Sequence, residues 1–259
     1  MSRDNPPSAR LVYAGGPLRD ISPWDGLLLV DKPSGMTSHD VVHRIRRTFK
    51  IKKVGHGGTL DPMATGLLLI LTGRGTKLSG DCMGSDKIYT GTMTLGITTD
   101  SQDADGTPLE TRPFESVSRE AVEAAMKQLT GDIHQVPPMV SAIKKNGVPL
   151  YKLARKGETV EREPRLIHVY RFVIDRFSLP EIDFTVSCTK GTYVRTLAAD
   201  LGEMVGCGAH LTALRRTASG QFSLEEAKPL NELLELSEVE FQKHILPMPK
   251  AKLRLAMPG

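Results

Sequence analysis

A mixed α+β domain is the fold class this sequence predicts, and three observations predict it. Apolar runs of strand length, cut short by Gly and Pro, recur along the chain. Stripes of apolar residues at helical spacing fall between them. The two kinds of segment do not alternate regularly, as a doubly wound parallel sheet would require. With 259 residues, 39% hydrophobic and 25% charged, the chain can build one large core, and no repeat of solenoid period divides it.

Residues 1–24 are rich in Pro, Gly and charge and are expected to form a flexible tail outside the folded domain, which is placed at 25–245. Residues 26–31, GLLLVD, read as a buried strand that Lys32, Pro33 and Gly35 stop in a turn. Ser38 is expected to cap a helix in which Val41, Val42, Ile45 and Phe49 face the core and Arg44, Arg46, Arg47 and Lys50 face elsewhere. Residues 67–71 form a second apolar strand, and 89–95, YTGTMTL, a third with hydroxyl and aromatic character. Residues 118–129 read as a helix closed by Gly131, with Val122, Ala125, Met126 and Leu129 inward. Strands at 166–177 and 182–188 are expected to pair across Pro180. In the helix that follows, Val194, Leu197, Ala198, Leu201 and Val205 make the stripe, and Gly206 and Gly208 supply the stop. Ser223 with Glu226 and Ser237 with Glu240 have capping-box spacing and suggest two short helices.

The net charge of +4 is too small to imply a polyanionic partner, but its clustering is informative. Arg44, Arg46, Arg47, Lys50, Lys52 and Lys53 lead directly into residues 55–66, GHGGTLDPMATG, where one carboxylate, Asp61, stands among small and backbone-restricting residues. Pro62 prevents a helix from running through Asp61 and holds its side chain on a bend. The simplest reading is a turn aspartate bonded to its own backbone; the alternative is a nucleophile. In an apolar pocket such a carboxylate would resist ionisation and need a cation beside it. Arg195, in KGTYVRT, is the candidate, able to grip a carboxylate at two points. His56 could meet a phosphate or fill the space of a displaced base, or be a structural histidine. Tyr89 offers a face for stacking on a base, or is a core aromatic. Lys32 could steady a phosphate or the Asp61 loop, or be an ordinary turn lysine.

Residues 101–112 place Asp103, Asp105 and Gly106 in calcium-loop phase, but they begin with Ser and end with Arg112 where a bidentate Glu is needed. Residues 73–80, GRGTKLSG, match neither phosphate-loop nor dinucleotide fingerprint. No nucleotide cofactor and no metal are expected. Three well-separated cysteines, Cys82, Cys188 and Cys207, read as reduced thiols of a cytoplasmic protein. No segment has the length of a signal peptide core or membrane span.

Several segments in this order, LLLVDKPSGMTS, GHGGTLDPMATGLL, DKIYTGTMTLG, TTDSQDADG, PPMVSAIKKNGVPLYKLARKG, SCTKGTYVRTLAADLG and GCGAHLTALRR, closely resemble the bacterial tRNA pseudouridine synthase B (TruB) family. The resemblance covers residues 26 to about 222 and implies a pseudouridine synthase fold, with a mixed, largely antiparallel sheet flanked by helices. It implies isomerisation of the T-loop uridine of tRNA by a monomer without cofactor. It further implies Asp61 as nucleophile, Tyr89 as the ring stacked on the target base, Arg195 as partner of Asp61, and His56 as an aid to base flipping, with Lys32, Leu214 and Tyr193 lining or supporting the pocket. The family's commoner Thr is replaced by Gly57, which is expected to loosen the loop. The family usually continues into a small PUA RNA-binding domain, for which residues 246–259 leave no room; they are expected to be a tail and the tRNA contact correspondingly weaker. Two other readings stay open: an RNA-binding or tRNA-folding module without turnover, and a related synthase acting on another RNA.

Overall fold

The computed structural model describes residues 22–257 except 142, 146 and 155, so most of the expected N-terminal tail lies outside the described residues. The chain begins with β1 (Gly26–Lys32), α1 (Ser38–Thr48), β2 (Val54–His56), β3 (Thr65–Thr72), α2 (Ser79–Gly84) and β4 (Lys87–Leu95). A small ribbon of β5 (Ile97–Thr99) and β6 (Pro108–Thr111) leads to α3 (Arg119–Gln128) and β7 (Gly131–Gln135). After β8 (Lys144–Lys145), β9 (Val148–Pro149) and α4 (Leu150–Ala154) come the long β10 (Arg165–Ser178) and β11 (Glu181–Cys188), then α5 (Val194–Met204) and β12 (Ala209–Ser219). The remainder is β13 (Phe222–Ser223), β14 (Lys228–Pro229), α6 (Leu230–Glu235), α7 (Glu238–Lys243), β15 (Leu246–Pro247) and α8 (Met248–Leu255).

One sheet organises the molecule, in the order β14-β1-β3-β12-β4-β11-β10-β7, with β2, β13 and β15 attached at its flanks. Its pairings are antiparallel except β1 with β14 and a short contact of β3 with β12, as expected of a mixed, largely antiparallel sheet. β3 shows why its apolar run is continuous: Leu68 and Ile70 face the main core, while Leu67, Leu69 and Leu71 face a second core under Leu78, Cys82, Phe222 and Ala251. A strand covered on both sides has no reason to alternate.

Both long helices bury the stripes read from the sequence. Val41, Val42, Ile45 and Phe49 are buried beneath α1 and at its end, and Val194, Leu197, Ala198 and Leu201 beneath α5. The α1 cap differs from expectation. Thr37, not Ser38, is the N-cap: its hydroxyl accepts from the Asp40 amide at 3.1 Å, and the Asp40 carboxylate accepts from the Thr37 amide at 2.8 Å. Ser38 is thereby freed for another task.

Packed structure extends beyond both expected limits of the domain, by Trp24 at one end and by β15 and α8 at the other. Trp24, assigned to the N-terminal tail, lies 6.4 Å from Phe49 and 6.1 Å from Phe241, and those two rings stack at 3.8 Å. At the other end, β15 pairs antiparallel with β1, and α8 buries Ala251 in the second core. The helix starts through Pro247 and Pro249, since proline suits a first turn whose amides have no partner.

Candidate active site

The Asp61 loop joins β2 to β3 at the middle of the sheet, and hydrogen bonds hold it along its length. The Asp61 carbonyl accepts from the Ala64 amide at 3.1 Å, closing a turn with Pro62 at its second position, as proline's fixed φ favours. The Pro62 carbonyl accepts from the Gly35 amide at 2.9 Å and from Lys32 Nζ at 3.3 Å. Ser34 Oγ donates to the Met63 carbonyl at 3.1 Å. On the other flank Ser38 Oγ accepts from the Leu60 amide at 2.8 Å and donates back to the Leu60 carbonyl at 3.2 Å. The residue misread as a cap is thus the latch between α1 and the neighbour of Asp61.

Lys32 is fully buried, and its ammonium also donates to the carbonyls of Pro33 at 2.9 Å and Met36 at 2.7 Å. Its three protons therefore go to three backbone oxygens, and of its possible roles the geometry selects the loop brace. Burial pushes its pKa down to about 8, against the opposing pull of Asp61 and Asp40.

Gly57 does not loosen the loop. Its amide donates to the Leu69 carbonyl at 2.8 Å, and a Cβ added there would stand 2.3 Å from Cys82 Cβ. Glycine is required because α2 leaves no room for a side chain.

The Asp61 side chain turns away from its own backbone and onto Arg195. Arg195 Nε lies 2.9 Å from one carboxylate oxygen and Nη2 donates to the other at 3.3 Å, the two-point grip that suits a guanidinium. Arg195 is 2% exposed, whereas the Asp61 side chain keeps about 33% of its surface, so the carboxylate reaches solvent from a buried cationic base. The other donors of Arg195 are also engaged: Nη1 with the Ser101 carbonyl at 2.8 Å and Asp103 Oδ2 at 3.2 Å, Nη2 with the Val140 carbonyl at 2.9 Å.

Asp103 is the member of this charged cluster that sequence reasoning missed. It sat in the stretch rejected as a calcium loop, where three carboxylates in a net basic chain were the available signal. The structure buries it to 4% exposure and seats it by hydrogen bonds from Ser101 Oγ and the Asp105 amide, with a bridge to Leu211 on β12. Arg195 therefore serves two carboxylates. Burial raises the pKa of Asp61, Arg195 opposes that rise, and the charge of Asp103 adds to it.

Around this pair stand the remaining expected residues. Tyr89 on β4 is buried, and Tyr193, just before α5, is half-buried; the charge of Asp61 reaches both phenols, whose pKa values burial raises. The Tyr193 main chain is pinned by both ends of the Gln135 amide, at 2.8 and 3.1 Å. Leu214 on β12 lies opposite Gly91 and shares a face with Arg216. His56 ends β2; burial, then the charge of Arg216, lowers its pKa, and its buried Nδ1 has no hydrogen-bond partner among the described residues. Asp61 and Arg195 are in contact, Lys32 holds the loop between them and β1, and the other four ring the loop without touching the pair through any hydrogen bond or ion pair among the described residues.

The cations of the basic run on and after α1, Arg44, Arg46, Arg47, Lys50, Lys52 and Lys53, are all exposed, and none is ion-paired among the described residues. No described helix is long and apolar enough to cross a membrane.

Comparison with known proteins agrees with this geometry. Residues 46–194 match the TruB family pseudouridylate synthase N-terminal domain, and residues 195–251 match the tRNA pseudouridylate synthase B C-terminal domain. The tRNA pseudouridine synthase B of Opitutus terrae is 55% identical over 88% of this chain and 94% of its own length, and that of Geobacter sulfurreducens 49% identical over 88% and 75%. Among solved structures, one of a Cbf5-Nop10-Gar1 complex aligns with 90% of the chain and 63% of its own at a TM-score of 0.71 and 30% identity. The sequence signatures, the relatives and the sheet built around Asp61 and Arg195 together place this chain in the TruB family of pseudouridine synthases.

Proposed function

We propose that the chain isomerises the T-loop uridine of tRNA to pseudouridine, with Asp61 as nucleophile. One observation carries the reading: a partly exposed carboxylate gripped at two points by a buried arginine, at the head of an unpaired basic surface. The arginine supplies what a nucleophile in a half-dry cleft needs, since it favours the ionised form against burial.

A base inside a folded loop cannot be attacked in place, so it must be extruded at a cost of a few kcal/mol. Stacking on Tyr89, worth about 1–3 kcal/mol, offsets much of that. Burial, then the charge of Arg216, disfavours the charged form of His56, which fits the space left by the base better than a phosphate. Tyr193 and Leu214 complete the pocket walls, and Lys32 keeps the loop in place. Asp61 then adds to the uracil ring or captures the ribose after glycosidic cleavage; either route lets the base turn and rejoin through carbon, and neither requires a cofactor. The phosphates of the T-arm lie along the cations of α1.

The three free, buried thiols support a reducing, cytoplasmic setting.

The test is a T-arm minihelix carrying its T-loop uridine, compared with one in which that uridine is cytidine, with pseudouridine located by mass spectrometry. Product at that position in the first and none in the second is expected. Product elsewhere, or only in another RNA, would reassign the substrate, and tight binding without product would favour a binding module.

A further inference from the structure

A second buried arginine lies under the same loop, with no carboxylate within ion-pair distance among the described residues. Arg216 on β12 is 2% exposed and is among the largest buried side chains of the described residues. Its Nε donates to the Leu67 carbonyl at 2.7 Å, Nη2 to Gly58 at 3.3 Å and Nη1 to Thr59 at 3.4 Å. Gly58 and Thr59 precede Asp61 in the loop and Leu67 follows it, so one planar fork spans both arms of the bend. The backbone of Arg216 adds a third hold. It pairs with Gly66, whose φ of +96° and lack of side chain let the chains close; a Cβ there would stand 2.4 Å from the Arg216 carbonyl. Tyr89 lies directly opposite Arg216 in the β12–β4 register, and the charge of Arg216 opposes the rise that burial gives the pKa of its phenol.

We propose that Arg216 is a positioning residue of the reaction, which fixes Asp61 and the Tyr89 ring relative to each other through one rigid cation. The energetics favour a function over packing alone. A buried, unpaired charge is costly, and an apolar side chain of similar volume would fill the site more cheaply. A lysine could reach the loop, but its point charge cannot present the flat fork that meets carbonyls on both arms. The positive charge also disfavours the protonated forms of Lys32, Lys87 and His56 around it.

The test compares Arg216→Lys and Arg216→Gln with the unaltered protein on full-length tRNA labelled with carbon-5-tritiated uridine. Single-turnover rate, tRNA Kd and thermal midpoint are read for each, and the rate also in combination with Tyr89→Phe. Misplacing reacting groups by about 1 Å costs roughly 100-fold in rate, so a fall of that order is expected in Arg216→Lys, with Kd within about threefold of the unaltered protein. Tyr89→Phe should cost less in the Arg216→Lys background than alone, because the two residues face each other across β12 and β4 and act on the same placement of the ring. A full rate in Arg216→Lys, a loss confined to Kd, additive effects with Tyr89→Phe, or failure of both variants to fold would overturn the proposal and leave Arg216 a core residue.

Discussion

The two walls of the cleft are held by different physics. The Asp61 wall, from β1, α1 and the loop, is fixed by neutral or singly charged donors aimed at backbone carbonyls: Lys32 to Pro62, Ser34 to Met63, Ser38 to Leu60. The Arg195 wall, from α5 and the loop after β5, is fixed by charge, one guanidinium between the carboxylates of Asp61 and Asp103. Backbone-directed bonds set where the nucleophile stands; the two serine bonds do not titrate, and the Lys32 ammonium does so only near pH 8. The charged cluster sets whether the nucleophile is ionised. Position and protonation are therefore separable, and substitutions on the two walls should fail in different ways.

Replacing Arg195 breaks the second wall most completely. Arg195→Met leaves two carboxylates facing a low-dielectric gap without a counter-charge, which should cost about 3 kcal/mol, the lower end for a broken buried pair because Asp61 is partly exposed. Asp61 would hold its proton at neutral pH, so turnover should vanish. Urea midpoints and tritium release check the two effects, and a variant of normal activity would remove charge from the account of that wall.

Breaking the first wall should lower the rate without moving its pH profile. Ser38→Ala leaves the buried Leu60 amide unsatisfied, at about 1–3 kcal/mol of stability, and lets the residue beside Asp61 drift, with a rate loss of roughly tenfold. A profile shifted along the pH axis in this variant would show that the walls are coupled.

The sequence carried the elements whose periodicity is clean, among them β1, α1, β3, α3, the β10–β11 pair and α5. It did not carry β12, the strand that joins the two halves of the sheet. Register shifts at Leu211/Ala213 and Arg216/Ala218 break its alternation, and the buried Arg216 reads as a surface residue. Asp61 and Arg195 were legible as a pair because a carboxylate and a guanidinium are chemically complementary wherever the chain puts them. Asp103 was not, since its importance lies in the third partner it shares. Ser38 was visible as a polar residue at a helix start, but only the fold shows that Thr37 takes the cap and leaves Ser38 to the loop. Residues 246–259 read as a tail because they leave no room for a PUA domain, although Pro247 and Pro249 mark a helix start.

The smallest effect sharpens the comparison most. The charge of Asp103 is one cause of the raised pKa of Asp61. Removing it in Asp103→Asn also leaves Arg195 to Asp61 alone, and both changes favour the carboxylate. Because the ionised form is the active one, the acid limb of kcat/KM in the unaltered protein should lie above the ordinary aspartate value of 3.8, and in Asp103→Asn it should move toward lower pH. A limb that moves upward would contradict the assignment of charge to this wall.

The central claim is that the Asp61 carboxylate makes the bond on which isomerisation depends. It is tested most directly by tritium release from carbon-5-tritiated tRNA with Asp61→Asn, which keeps size and loop contacts but cannot act as a carboxylate nucleophile. Release by the unaltered protein and none by Asp61→Asn, with tRNA binding preserved within a few-fold, is the predicted result. Release by Asp61→Asn at a comparable rate would contradict it and move the chemistry to another group in the cleft.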